Sequence, residues 1–314
     1  MSGREDAYPP ALRALLRRAG DRLRGRLEER APTLAVHTRT WLRWLAGDSE
    51  AGPADRYFTH PRSFPMLLLP WWLEGTIRGS PSRAFQADVV YSTMCGYYFI
   101  RLIDDLMDGE GPPDRAVLPA LIVLHTEFEQ AYHPYFPSDH PFWGALTAAS
   151  YEAAETAAGD AGLALIERDD FLRTSSRKVA GAKVPLAAVC HRSGRLDVYG
   201  PWSDFVDLFG RWHQMLNDLL GWSADLGRGR TTYFLAEAHR RSPGSPAAWV
   251  LGDGLAWGMD QLDGWMDDLL AVSPALGCPP LLAYLEGRRL DLAREWRALE
   301  TSLEPIRRIA STLG

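Results

Sequence analysis

Between Tyr97 and Asp108 the chain reads YYFIRLIDDLMD, and this stretch limits the possible folds more than any other. Wound as an α-helix at about 100° per residue, it gathers one polar stripe. With Tyr97 at about 0°, Arg101 falls near 40°, Asp104 near 340° and Asp108 near 20°, with Asp105 at the edge near 80°. Phe99, Ile100, Leu102, Ile103, Leu106 and Met107 fill the rest of the circumference. A helix apolar over most of its girth is buried, and carboxylates in such a place must be paired or hold a cation. One arginine does not neutralise three aspartates. The stripe therefore borders a water-filled cavity or binds metal, and either way the helix needs neighbours on every side.

Length and charge narrow the classes further. At 314 residues, 46% of them hydrophobic and 24% charged, the chain has ample material for a globular core. A net charge of −6 and a pI near 5.8 argue against a nucleic-acid surface, which would need a basic face. The start, MSGREDAYPP, shows no apolar signal core, and no run long enough to span a bilayer follows, so stable membrane insertion is not expected. Cys95, Cys190 and Cys278 are scattered and odd in number, which fits a reducing, cytoplasmic setting and neither a disulfide framework nor a zinc site. Lysine occurs only at Lys178 and Lys183, five residues apart.

Helical periodicity dominates the chain. Residues 11–30 place Leu12, Leu15, Leu16, Leu23 and Leu27 among Arg and Glu, as a packed outer helix does, and 33–47 repeat the pattern with Trp41 and Trp44. Residues 47–61 read as a loop. Residues 62–77 read as a buried helix broken or kinked near Pro70, and 83–108 as the acidic helix, closed by glycines and prolines. Further helices are expected over 114–131, 141–158, 161–191 with a break at 181–184, 201–226, 246–272 and 279–303. Alternating segments are scarce. The expectation is one all-α domain over residues 1–314, a bundle of about ten helices around a central cavity, with residues 1–30 at its periphery.

A second row of oxygens lies at Asn217, Gly221 and Asp225, spaced i, i+4, i+8 and thus spanning about 80° of a helix. Gly221 leaves a gap in which a water can stand. Gly227 and Gly229 then end the helix, and Arg228, Arg230 and Tyr233 follow. Each row alone is as compatible with a solvated face as with a site. Together, in an all-α chain with cations nearby, they suit Mg²⁺, which takes hard oxygen ligands, keeps waters and bridges a phosphate that Arg can also clamp. Asp260, Asp263 and Asp267 also share a face, but their polar setting marks them as solvated. His213, one turn before Asn217, reads as a polar core residue.

These motifs resemble those of the class I isoprenoid (terpenoid) synthases. Asp104, Asp105 and Asp108 are similar to the aspartate-rich DDxxD motif. Asn217, Gly221 and Asp225 are similar to the terpene cyclases' (N/D)Dxx(S/T/G)xxxE motif, with Asp in place of Glu at 225. The squalene/phytoene synthase branch matches in other places: YxxxRxxDDxxD at Tyr97, Arg101, Asp104, Asp105 and Asp108; RSF at Arg62, Ser63 and Phe64; VAG at Val179, Ala180 and Gly181. Its second motif, NxxxDxxxDxxRGRxY, is met at Asn217, Asp225, Arg228, Gly229 and Arg230, with Tyr233 displaced by one. Gly221 replaces that branch's first aspartate, and Ser175 replaces the tyrosine before its VAG.

The resemblance implies ionisation of an allylic prenyl diphosphate, with about three Mg²⁺ ions on Asp104, Asp105, Asp108, Asn217, Asp225 and, through water, Gly221. It implies diphosphate contacts from Arg62, Arg101, Arg173, Arg177, Lys178, Arg228, Arg230 and Tyr233, with Arg173 or Arg177 sensing its arrival. Asp104, Asp105, Asp108, Arg101 and Tyr233 are the expected catalytic set. A carbocation needs a dry pocket with negative π faces, for which Phe64, Trp71, Tyr97, Phe99, Gly181, Trp212 and Trp222 are the candidates. The rivals are a prenyltransferase joining two prenyl diphosphates, a phosphohydrolase and a non-catalytic helical protein binding a prenyl ligand. The oligomeric state stays open, a homodimer included.

Overall fold

The computed structural model describes residues 8–46, 57–107, 109, 114–160 and 166–313, the side chains at 160 and 303–313 excepted. Asp108 lies outside the described residues. Twelve helices of nine residues or more account for most of what is described, and no strand occurs among those residues. Contacts sort them into two compact units: Met1–Tyr151 with Gly181–Gly200, and Glu152–Ala180 with Pro201–Gly314.

In the first unit α1 (Pro10–Arg30) and α2 (Pro32–Leu45) both begin on proline, whose missing N–H costs nothing in a first turn. The expected leucine stripe of α1 is buried and packs on α4 (Arg83–Met107). Polar bonds fix its position: Arg22 lies 3.8 Å over the Tyr91 ring and 2.7 Å from Asp88. Arg26 pairs with Glu127 at 2.6 Å, which also accepts from the Tyr91 hydroxyl at 2.8 Å. α4 packs closely on α5 (Ala120–Gln130) because Gly96 makes room, since a Cβ there would sit 2.8 Å from Phe128.

The break or kink expected near Pro70 falls earlier in the chain. Residues 60–67 turn, with Ser63 N–H donating to His60 O and Met66 N–H to Phe64 O. α3 then runs Leu68–Arg78. Pro70 is its third residue, where the N–H has no helical partner to lose. α6 (Phe142–Asp160) is shared in sequence by both units.

The expected break in 161–191 falls at 179–182. α7 (Arg168–Lys178) starts on a capping box of Glu167 and Asp170 and stops at Val179. One turn of 3₁₀-helix, Ala180–Ala182, follows before α8 (Lys183–Ser193). Pro185 is again a third residue, so it opens the new helix instead of bending an old one.

In the second unit α9 (Tyr199–Gly227) is the long helix, burying Trp202, Phe205, Phe209 and Trp212. α10 (Tyr233–Arg241), unanticipated in the sequence, is capped by Thr232, whose hydroxyl accepts from Leu235 N–H. The short α11 (Pro246–Trp249) passes through a π-helical turn, Val250–Gly254, into α12 (Leu255–Val272); α13 is Pro279–Leu313. Asp260, Asp263 and Asp267 are exposed as expected. All three cysteines are buried.

Candidate active site

The acidic end of α4 separates its two described aspartates. Asp104 is exposed, whereas Asp105 is 1% exposed and ion-paired with Arg101 one turn earlier at 2.7 Å. The residue placed at the edge of the stripe is thus the buried one. The Tyr97 ring packs 4.9 Å from Tyr57 and 5.4 Å from Phe58. Burial pushes the Tyr57 phenol up to about 12, with Arg101 opposing and Asp105 and Asp104 reinforcing. Its hydroxyl therefore feels the acidic row. Tyr57 was missed in the sequence because it sits in a stretch that reads only as loop.

Ser63 fastens the Arg62–Phe64 turn to the Tyr57 carbonyl at 2.6 Å. Arg62 is exposed and Phe64 buried. Gly181 meets α4 one turn before Asp104: a Cβ there would lie 3.3 Å from Ile100 Cδ1. Trp71 is half-buried beside the buried Trp72. Phe99 packs edge-on against His125 of α5, ring centres 5.2 Å apart, about 140° around α4 from Asp104.

In the second unit Asn217 is exposed near the end of α9, Gly221 and Trp222 are half-buried, and Asp225 lies close to Arg230, whose Nη1 is 3.8 Å from Oδ1. Gly229, at φ 68°, turns the chain back so that Arg230 N–H donates to Asp225 O at 2.9 Å. Arg228 follows the helix end and is exposed. Asp218, buried and bonded by Gln214 at 2.8 Å, belongs to the packing side.

The remaining expected cations have local partners. Arg173 pairs with Asp170 in its own helix, and Arg177 reaches Glu152 at 3.6 Å; Lys178 is exposed. Tyr233 is buried and stacks on Phe171 at 4.7 Å. Burial raises its hydroxyl, Glu237 adds to that, and Arg168 and Arg240 oppose. The Arg288 guanidinium lies over one face of the buried Trp212 ring at 4.8 Å. His213 is half-buried; desolvation, and then Arg288, push its imidazole down to about 3.

Ser175 is buried, and its hydroxyl donates to Phe171 O. Its carbonyl abuts Gly210, where a Cβ would be 2.9 Å from Ser175 O and 2.6 Å from Val179 Cγ2. α7 and α9 thus touch backbone to backbone at the point where α7 stops.

No protein-family model matches the sequence, and no curated protein matches it. Solved structures do. The polyprenyl synthetase from Streptomyces coelicolor A3(2) aligns with a TM-score of 0.62 at 16% identity, over 88% of this chain and 98% of that one. The geranylgeranyl pyrophosphate synthase from Lactobacillus brevis ATCC 367 aligns at 0.61 and 14%, over 84% and 98%. This chain has the isoprenoid-synthase fold.

Mg²⁺, the metal associated with that fold, can be tested against the donors present. Among the described residues no three His, Cys, Asp or Glu side chains converge on one point. Each acidic row offers hard oxygens, Asp104 and Asp105 on α4 and Asn217 and Asp225 on α9. Donors of that kind fit Mg²⁺, which holds few carboxylates and completes its shell with water and phosphate oxygens, and not a closed tetrahedral zinc site.

Proposed function

We propose that this chain is a class I enzyme acting on an allylic prenyl diphosphate, and more finely a terpene synthase that ionises a fifteen- or twenty-carbon substrate. The observation that carries the proposal is the presence of two oxygen rows, Asp104–Asp105 on α4 and Asn217–Asp225 on α9, within an isoprenoid-synthase fold. Asp104, Asp105, Asp108, Asn217 and Asp225 are the proposed metal ligands. Bound Mg²⁺ would stabilise charge growing on the leaving oxygens. Arg62, Arg173, Arg177, Lys178, Arg228 and Arg230 are the proposed diphosphate donors, and Tyr233 contributes through the packing of Arg168 and Phe171. Arg101 pairs with Asp105 and orients it. Tyr97, Phe64, Trp71, Gly181 and Trp222 are proposed to exclude water from the prenyl chain.

Prenyl transfer is the second reading, favoured by the two structural neighbours, both prenyl-chain synthases by name. Its head-to-head form is disfavoured by Ser175, a small buried residue closed in by Gly210. Incubation with Mg²⁺ and geranyl, farnesyl or geranylgeranyl diphosphate, with and without isopentenyl diphosphate, separates the readings. A hydrocarbon or alcohol of unchanged carbon number, cyclised or rearranged, supports the synthase. Extended or doubled chains support transfer. No turnover of any allylic diphosphate would sink both.

A further inference from the structure

The C-terminal helix carries an apolar repeat that its own unit buries only in part. Along α13, Leu285, Leu292, Leu299, Ile306 and Leu313 recur every seven residues, and Trp296, Leu303 and Ala310 stand between the last four. From Leu292 onward the spacing alternates four and three. That is the narrow seam of a coiled coil, not the wider stripe of a helix laid on a globular core. The helix packs on α12, and burial fades along the repeat: Leu285 is 0% exposed, Leu292 9% and Leu299 39%. Between Arg294 and Ser302 every side chain but the half-buried Trp296 is exposed. The helix nevertheless continues to Leu313. A helical end of this length is marginal by itself, and pairing would bury its seam.

We infer that residues 292–313 are an interaction surface whose partner is the same stretch of a second copy of this chain, paired antiparallel.

Charge selects the direction. With Leu292 at heptad position d, Glu295 falls at g and both Glu300 and Arg307 at e. A parallel pair would set Glu295 against the partner's Glu300, twice, and like charges so placed repel. An antiparallel pair sets e against e, so Glu300 meets the partner's Arg307 on both sides of the twofold axis. The same register brings Trp296 to the partner's Leu313, Leu299 to the partner's Ala310 and Leu303 to the partner's Ile306. The overlap, residues 296–313, is about 27 Å long. Pro305 falls at c, on the outer side, where its ring does not meet the partner. A seam this short closes a reversible dimer.

Sedimentation velocity on the full chain, from about 1 to about 200 µM, tests this. The parent should pass from monomer to dimer as concentration rises. Leu299→Glu should weaken association at least about tenfold and leave the thermal midpoint of the dilute protein within about 2 °C, because Leu299 is already exposed in the monomer. Glu300→Arg and Arg307→Glu should each weaken association about tenfold, and the two together should restore it to within about threefold. These residues lie two turns apart on one helix, so rescue reports contact between copies and not within one. A parent that stays monomeric, a Leu299→Glu chain that associates like the parent, or a double variant no better than the singles would overturn the inference. So would tighter association of Glu300→Arg, the mark of a parallel pair. A monomeric parent whose midpoint drops on Leu299→Glu would show the stripe covered by its own chain, and one that binds phosphatidylglycerol vesicles through Leu299 would assign it to a membrane; both count against a second copy.

Discussion

Ser63 Oγ donates to the backbone carbonyl of Tyr57 at 2.6 Å, and the Tyr57 ring lies 4.9 Å from that of Tyr97. A turn read from the sequence as a diphosphate contact is thereby tied to the aromatic wall of the acidic helix. Tyr57→Phe keeps the carbonyl bond and the ring contact, so denaturant unfolding should shift by less than about 1 kcal/mol, whereas Tyr57→Ala should cost about 2–4 kcal/mol. Ser63→Ala should cost about 1 kcal/mol. Equal losses from Phe and Ala would show that the hydroxyl, not the ring, anchors the turn.

Asp104 and Asp105 should separate activity from stability. Asp104 is exposed, so Asp104→Asn should lower kcat/KM at least about a hundredfold while stability changes by less than about 1 kcal/mol. Asp105→Asn removes the buried partner of Arg101, which is itself a third exposed, and should cost about 1–3 kcal/mol as well as activity. Paired melting curves and single-turnover assays decide this. Normal turnover by the Asp104 variant would remove the metal assignment.

Gly210 should resist even alanine. The added methyl would press Val179 Cγ2 at 2.6 Å and Ser175 O at 2.9 Å. Overpacking of about 1–3 kcal/mol should outweigh the helix gain of about 1 kcal/mol. Val179→Ala in the same chain should relieve part of the loss. A more stable Gly210→Ala would show that the end of α7 yields freely.

His213 gives a signed pH dependence. Burial, and then Arg288, hold its folded pKa near 3 against an ordinary value of 6.5. Below that ordinary value the unfolded chain takes the proton and the folded one does not. Stability from this group is therefore intact above about 6.5 and falls as pH drops toward about 3, by up to about tenfold in the folding constant per pH unit. Melting midpoints from pH 7 to 4 should fall less steeply for His213→Asn than for the parent. Parallel profiles would contradict the burial of a neutral imidazole.

The helices were legible where periodicity and punctuation agree, as in α1, α4 and α9. Pro70 misled because a proline inside an apolar run reads equally as a kink or as a first turn, and only the turns at 60–67 decide. Phe99 and Trp212 belong to the right elements, but their usable faces depend on His125 and Arg288, which sequence spacing does not place. Tyr57 reaches α4 across forty residues and leaves no periodic trace. At Gly221 the missing side chain leaves Asp225 Oδ2 3.1 Å from the point where a Cβ would stand. Asp108 lies outside the described residues, so the third position of its motif rests on sequence.

The buried cysteines give the molecule its own opening clock. Cys95 and Cys190 lie in one unit and Cys278 in the other. Burial raises the Cys95 thiol and pushes the Cys190 thiol up to about 12, so neither reacts as a thiolate while its surroundings stay closed. Thiol-labelling rates, followed position by position by mass spectrometry, thus time how often each half of the chain exposes its interior, without any introduced probe.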